Sequence, residues 1–597
     1  MKIKTFILGS LATRAQRWRA ALLSSAFLLT GFLLWESLSL GYNEDHTAIV
    51  ALWLLAFAAY LLAVAPAARP PRDWRMWWRI HARTATLVVA ITLLAFGLRV
   101  WNLGGIPFAF SGDEASFALE ALRVLRGEIG TPFATGFLSQ PTMSFYYGSL
   151  GIALFGATPA GARLPWTVLG VLTVPVIFWI TKRAAGKPVA FAATVLLATY
   201  HFHIHYARLS LNNIADPLIL GLALLFWDRA TARGDAREWA LLGAMCGLAL
   251  YSYQGARLTP LVIAATIAYR LAQERVAWWR AHRRGLLIAL GAFLIVAAPM
   301  LQFAAFYPDE FNARVNQMGI LQSGMLEQAT RQADTHPALI LFDQFVRAAL
   351  AFNFYTDRVV WYGLTTPLLD PIFGIVFLLG LGYATVRVFL PPGNRRLFPF
   401  VVWWWGATIL GGALTESPPS SMRLVTLTAP TCVLIALGLF RILGLARQAF
   451  VKFPTRGVVL GVLAVFAVIS LRTYFVDYTP RRIYGSVRAE AATALAPVLR
   501  DLRATHKFYF LGPPYMYWGF ATLPYLVPDA DAYDVMVPLT APAPADWVPD
   551  DKGAVFIAVP ERMNELHFAQ ATFADGQHRL FVSPAGYTLA ALYIVER

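Results

Sequence analysis

A helix needs about 20 consecutive, mostly apolar residues to cross a bilayer, and runs of that order recur from residue 20 to residue 475 of this chain. We read about thirteen spans, near 20–40, 47–67, 84–102, 162–181, 187–205, 212–229, 237–254, 256–271, 285–305, 371–390, 397–415, 423–443 and 456–475. The eighth is the weakest, being short and carrying Arg257 and Pro260. Charged residues make up only 14% of the chain, against about 25% in soluble domains. The chain is an α-helical polytopic membrane protein.

The net charge of +16 would raise nucleic acid as a partner of a soluble protein. Here the basic residues are spread over short loops, which excludes a nucleic-acid face. They signal topology and contact membrane lipids instead. Lys2, Lys4, Arg14, Arg17 and Arg19 precede the first span, and Arg69, Arg72, Arg75, Arg79 and Arg83 fill the second loop. Lys182, Arg183 and Lys187 follow, then the run from Arg270 to Arg284, then Arg395 with Arg396, then Arg447, Lys452 and Arg456. Threading thirteen spans alternately puts all these groups on one side, the cytoplasmic side of the inner membrane. The N-terminus lies there too, its first span retained for want of a cleavage pattern. Cys246 and Cys432 lie in apolar spans, so neither a disulfide framework nor a thiolate metal site is expected.

Three parts follow. Residues 1–83 carry two leading spans, 84–476 the remaining membrane body, and 477–597 a small extracytoplasmic α/β domain. Two outer segments, about 103–161 and 306–370, are too long for turns and are the places to look for function. Ala115–Arg126 alternates Phe117, Leu119, Leu122 and Leu125 with Glu120, Arg123 and Arg126, the pattern of a helix in the interface plane. Ala338–Phe354, interrupted by Asp343, Gln344 and Arg347, reads as a second. In the tail, Val487–Ala504 reads as helix, and Lys507–Leu511, Val555–Val559, Leu580–Val582 and Thr588–Val595 as strands. No GxGxxG, P-loop or HExxH motif is present, no nucleotide cofactor is expected, and the tail reads as a lid or docking module.

Asp113 and Glu114 stand where a span emerges from the bilayer, a costly place for adjacent carboxylates. Their bland role is capping the helix that follows. A capped carboxylate is also pre-oriented, and a second beside it can orient a base or hold a cation. Arg163, Arg208, Arg257 and Arg423 sit at outer span ends, against the positive-inside trend. Each alone could snorkel; together they suit a phosphate, which the planar guanidinium fork binds by paired hydrogen bonds. His201 and His205 share a helix face at a spacing open to metal ligands, though aromatic-rich interfacial histidine is the commoner outcome. Asn212 and Asp216, with Asn213 between them, add polar groups at the same cavity mouth.

Six pieces in order, GDEASFALEALRVLRG, FGATPAGARLPWTVLG, HFHIHYARLSLNNIADP, GLALYSYQGARLTP, TPLLDPIFGIVFLLGLG and MRLVTLTAPTCVLIALGL, run from about residue 84 toward the C-terminus. They resemble bacterial polytopic glycosyltransferases of the GT-C class, the group of protein O-mannosyltransferases and lipid A aminoarabinose transferases. The two leading spans look like an addition to that pattern. The resemblance implies that Asp113, with Glu114 beside it, is the catalytic carboxylate of the first outer loop. It implies a polyprenyl-phosphate-linked sugar donor entering from the bilayer, a protein, lipid or glycan hydroxyl as acceptor at the outer face, and inversion at the anomeric carbon. Members of the group differ in whether they use a divalent metal. Sugar transfer passes through an oxocarbenium-like state, and the outer arginines would stabilise the departing phosphate.

A lipid or glycan transporter or flippase is the alternative, but it would place paired charges near the midplane and show internal repeats. A non-catalytic scaffold, or an envelope glycan polymerase or ligase, would not need Asp-Glu at the head of the first outer loop. The orientation itself is checked by cysteines placed at Ser116 and Asp550. Both should label from outside intact cells, and labelling only after permeabilisation would overturn the topology.

Overall fold

The protein is described from a computed structural model covering residues 2–65, 73–357, 359–391, 393–450 and 453–597, with the side chains of 2–15, Trp74 and Trp77 left aside. Arg69, Arg72 and Lys452, used above to orient the chain, lie outside the described residues, as do the side chains of Lys2, Lys4 and Arg14.

Each apolar stretch read from the sequence falls on helix, but the stretches are not equivalent. Among the described residues, eight helices are long and apolar enough to cross a membrane. One of them is Leu258–Phe306, which carries two predicted spans and breaks between them at Arg275 (φ 51°). Four predicted spans form other helices: Lys187–Thr199, Asp216–Arg233, Ala236–Leu248 and Phe398–Ala407, the last continuing as a π-helical turn to Ala413. They pack on neighbouring helices, with Leu197, Ala223, Ala240 and Trp403 all fully buried. Continuous apolarity here reports burial in protein rather than contact with lipid. The two leading helices, Lys2–Ser37 and Thr47–Val64, pack on each other and on Leu258–Phe306. Trp53 Nε1 donates to the Val296 carbonyl at 3.1 Å and the Tyr60 hydroxyl to Ile288 at 2.8 Å.

Two arginines tie helix ends together. The helix Trp74–Val100 leaves unpaired carbonyls at its C-terminus, where a cation is also favoured by the helix dipole. Arg208 fills that place, donating to the carbonyls of Leu98, Arg99, Trp101, Asn102 and Ile106 at 2.7–3.2 Å. Arg99 does the same for Lys187–Thr199, donating to Leu197 and Ala198 and to His203 Nδ1 at 2.9–3.1 Å.

Residues after 485 form the helix Ser486–Leu502 and a five-stranded sheet of β1 His506–Leu511, β2 Ala532–Asp534, β3 Gly553–Ala558, β4 Gln577–Val582 and β5 Thr588–Val595. The order is β2-β1-β3-β5-β4, with β1 parallel to β2 and β3, and β5 antiparallel to β3 and β4. Four strands match the sequence reading. β2 escaped it because three residues are too short to show alternation.

The first outer loop holds the helix Gly112–Leu125. The packing gives this helix a protein partner on both sides. Ala115, Ala118 and Ala121 share one buried cluster with residues of the tail, the helix itself packs on Thr522–Leu526, and Phe117 turns to Phe145 and Trp166 of the membrane body. The helix is therefore clamped between tail and membrane helices. The second outer loop forms three short helices, Pro308–Met318, Met325–Ala333 and Pro337–Ala349.

Candidate active site

Ser111 is the N-cap of the first-loop helix, and with Glu114 it forms a reciprocal capping box. This shifts the cap one residue before the expected Gly112-Asp113. The consequence is that Glu114 turns inward. Its carboxylate is fully buried and takes a bidentate pair from Arg163, with Nε at 2.8 Å and Nη2 at 2.9 Å. The Ser210 N–H (2.8 Å), the Tyr484 hydroxyl (2.9 Å) and the Ser111 N–H (3.3 Å) complete its shell. Arg163 spends its other three N–H bonds on the carbonyls of Leu103, Pro107 and Ala109 at 2.9–3.0 Å. A guanidinium has five N–H donors, so none is left for a ligand.

These contacts correct two sequence assignments. Glu114, read as catalytic, has every lone pair engaged and no path to solvent; it is the counter-ion of Arg163. Arg163 and Arg208, read as phosphate binders, are committed to the fold. Both charges are needed there, because a buried ion is tolerated only when paired and hydrogen-bonded.

Asp113, one residue earlier, turns the other way. It is half-buried and feels the charges of Arg314 and Glu114. Burial pushes its carboxyl up to about 6, with Arg314 opposing the rise and Glu114 adding to it. Gly112 beside it is closely covered, the Phe520 ring lying 3.0 Å from the place a Cβ would take. Phe520 belongs to the tail, so the tail roofs the first turn of this helix. The Thr522 hydroxyl binds the Phe110 carbonyl at 2.8 Å, and Tyr525 stacks on Phe110 at 5.2 Å.

Arg314, whose charge Asp113 feels, lines a cavity of about 310 Å³. Its apolar wall is made of Leu258, Leu261, Leu321, Leu410 and Leu414, and its polar wall holds Tyr253, Gln254, Arg257, Arg314 and Arg423. Leu261 is 54% and Leu410 45% exposed, so the apolar end reaches the outer surface of the helix bundle. Asp113 does not line the cavity, but Tyr253 and Arg314 on its polar wall lie within electrostatic range of it. Arg257 has one long contact, 3.5 Å to the Phe311 carbonyl, its Nε is unpaired, and its guanidinium lies 4.0 Å from the Phe311 ring centre. Arg423 is held by Glu416, at 2.6 Å to Oε1. Arg314 makes no ion pair among the described residues. Of the four arginines expected at a phosphate site, Arg257 and Arg423 line this cavity and Arg163 and Arg208 do not. Arg314 was missed because it lies in a polar loop helix with no signal to separate it from surface charge.

The histidines form an aromatic bed. His201 Nδ1 pairs with the Tyr362 hydroxyl at 2.8 Å, and His205 Nε2 donates to the Trp361 carbonyl at 2.7 Å. His205 stacks on Tyr362 at 4.3 Å, with Tyr474, Tyr478 and Tyr484 around it. Among the described residues no three His, Cys, Asp or Glu side chains converge as a metal site, so the metal reading of His201, His205 and Asp216 does not fit the donors present. Asn212 donates to Gln140 and Ser144 at 3.0 and 3.1 Å. Asp216 is buried behind Gly255. Breaking one side of a buried ion pair costs about 3–5 kcal/mol, so Glu114→Gln or Arg163→Met should each lower unfolding free energy by that order in detergent. Glu114→Gln combined with Arg163→Met should lose far less than the two single losses added. Simple additivity would show that the two side chains are not one unit.

Residues 139–303 match the family described as dolichyl-phosphate-mannose-protein mannosyltransferase, a segment that holds Arg163, Arg208, Gln254 and Arg257 but begins after Asp113. An undecaprenyl phosphate-alpha-4-amino-4-deoxy-L-arabinose arabinosyl transferase of Edwardsiella ictaluri is 25% identical over 207 residues, 33% of this chain and 37% of that protein. A Pseudomonas fluorescens protein of the same description is 26% identical over 228 residues, 36% and 39% of the two chains. The chain thus matches less than two fifths of the length of these relatives. The crystal structure of ArnT from Cupriavidus metallidurans bound to undecaprenyl phosphate superposes with TM-score 0.52 at 13% identity, covering 86% of this chain and 98% of that one. The resemblance drawn from the six sequence pieces is borne out at the level of the fold: the chain shares the fold of the ArnT structure, and its segment 139–303 matches the mannosyltransferase family model.

Proposed function

We propose that this protein moves a sugar from a polyprenyl-phosphate-linked donor to an acceptor hydroxyl at the extracytoplasmic face of the membrane, with inversion. The observation that carries the reading is the cavity itself: an apolar wall reaching the bundle surface, an arginine-rich polar end, and Asp113 electrostatically joined to that end. An isoprenoid chain fits the leucine wall and its phosphate the end formed by Arg257, Arg314 and Arg423. The relatives' names point to the same donor class, undecaprenyl phosphate sugars. Acceptor identity, inner-membrane location and the outward placing of Asp113 and the tail belong to this proposal.

In the reaction, the acceptor oxygen attacks the anomeric carbon from the side opposite the phosphate. Asp113 takes the hydroxyl proton as that bond forms. The bond from the anomeric carbon to the phosphate oxygen breaks, and its electrons leave on the carrier phosphate, where the arginine charges stabilise them. A carboxyl raised to about 6 is a better base than one at the ordinary value of about 3.9. Glu114 serves by fixing the helix turn from which Asp113 projects.

Asp113→Asn keeps size and removes the base. The variant should fold, bind polyprenyl-phosphate donor, and transfer sugar about 10²–10⁴ times more slowly. Arg257→Ala should weaken donor binding while leaving thermal stability near that of the parent. Near-normal transfer by a folded Asp113→Asn protein would remove Asp113 as the base.

A further inference from the structure

The cavity has a stretch of wall whose polar atoms lack partners. Gln254 lines it beside Arg257. Its amide oxygen and amide nitrogen are both buried, and neither has a hydrogen-bond partner among the described residues. Buried polar groups in folded proteins are nearly always paired, and each exception calls for an explanation. Two further acceptors are orphaned on the adjoining turn, Asn213 Oδ1 and Asp216 Oδ1. That turn, Asn212–Ala215, packs against Gln254–Arg257. Gly255 allows the approach: a Cβ there would stand 2.3 Å from Asp216 Oδ2.

The unpaired set has a chemical signature. Gln254 Oε1, Asn213 Oδ1 and Asp216 Oδ1 accept, while Gln254 Nε2 and Arg257 Nε donate. An isoprenoid chain can satisfy none of them. A phosphate monoester or diester anion only accepts, so it can serve the donors but not Gln254 Oε1 on the cavity wall. A ligand bearing several hydroxyls serves both kinds, since each hydroxyl donates once and accepts as well. Position agrees with chemistry. Tyr253, the preceding residue, is within electrostatic reach of both Asp113 and the arginines Arg314 and Arg423. Gln254 lies on the same 3-10 turn as Arg257 and on the same cavity wall, so a sugar carried on a phosphate held by Arg257 comes within its reach.

We infer that Gln254 is the subsite that reads the hydroxyl groups of the transferred sugar and sets which donor is used. The inference rests on the donor-lipid reading above. The amide of Gln254 bridges two neighbouring hydroxyls, donating to one and accepting from the next. Replacement of Gln254 should then change recognition of the sugar and leave recognition of the carrier alone, a split that a merely structural residue would not show.

The test measures binding of two kinds of probe to the full-length protein in detergent or nanodiscs. One is polyprenyl phosphate without sugar. The other is the same carrier bearing a hexose, a pentose or an aminopentose. The parent should bind at least one sugar-bearing probe more tightly than the bare carrier. Gln254→Ala should bind the bare carrier as the parent does, and that sugar-bearing probe about ten-fold more weakly, the loss expected for one or two hydrogen bonds. Equal weakening of both probes would place Gln254 at the phosphate or in the cavity's shape and overturn the inference. Unchanged binding of both would overturn it as well, as would a parent that gains nothing from any sugar. A parent that binds no polyprenyl phosphate at all would instead overturn the donor-lipid reading on which the subsite depends.

Discussion

The Glu114–Arg163 ion pair is buried where the membrane body, the first outer loop and the tail meet. Arg163 comes from a membrane helix and holds the carbonyls of Leu103, Pro107 and Ala109 in the loop; Tyr484, at the entry to the tail, binds Glu114 from the other side. Neither charge could be buried alone, because desolvation would exceed any gain without a complete shell. Once the shell is complete, the geometry of the first helix turn is fixed. Residues adjacent in a helix point about 100° apart, so turning Glu114 inward directs Asp113 away from the pair. The capping box is the local device, the ion pair the long-range one, and the placing of Asp113 follows from both.

The outer-end arginines divide by what they find at close range. Arg208, like Arg99 near the same end of its span, meets orphan carbonyls at helix termini and becomes part of the scaffold. Arg163 meets a carboxylate. Arg257 and Arg314 meet neither and remain beside a cavity with leucines on its other wall. Committed charge holds the loops still, and uncommitted charge is available to a ligand. The asymmetry also explains why Asp113 can have a raised carboxyl without being neutralised by a close arginine: burial dominates, and Arg314 acts only through space.

Much of the fold was legible because bilayer-length apolarity is a strong signal. The runs located the eight long apolar helices among the described residues, and short strand-like runs located four of the five tail strands. What apolarity could not do was separate helices facing lipid from helices enclosed by protein, since both environments favour the same residues. Lys187–Thr199 and Ala236–Leu248 were therefore read as ordinary spans. In the site, Asp113 and the arginines 257 and 423 stood out as charges at costly depths. The exchange of roles between Asp113 and Glu114 did not, because it depends on Arg163, 49 positions from Glu114 in the chain. Arg314 and Gln254 gave no signal either: their importance lies in what their polar atoms fail to meet, which only the folded chain reveals.

The pH dependence of sugar transfer tests the central claim most directly, that a half-buried Asp113 beside the arginine-lined cavity is the base. A base must be ionised, and burial raises this carboxyl to about 6. With a polyprenyl-phosphate donor, kcat should be flat near neutral pH and fall as the pH drops through about 6. That limb should vanish from the slow residual activity of Asp113→Asn. Retention of the same limb in Asp113→Asn, or a limb near the ordinary carboxylate value of about 3.9 in the parent, would contradict the account.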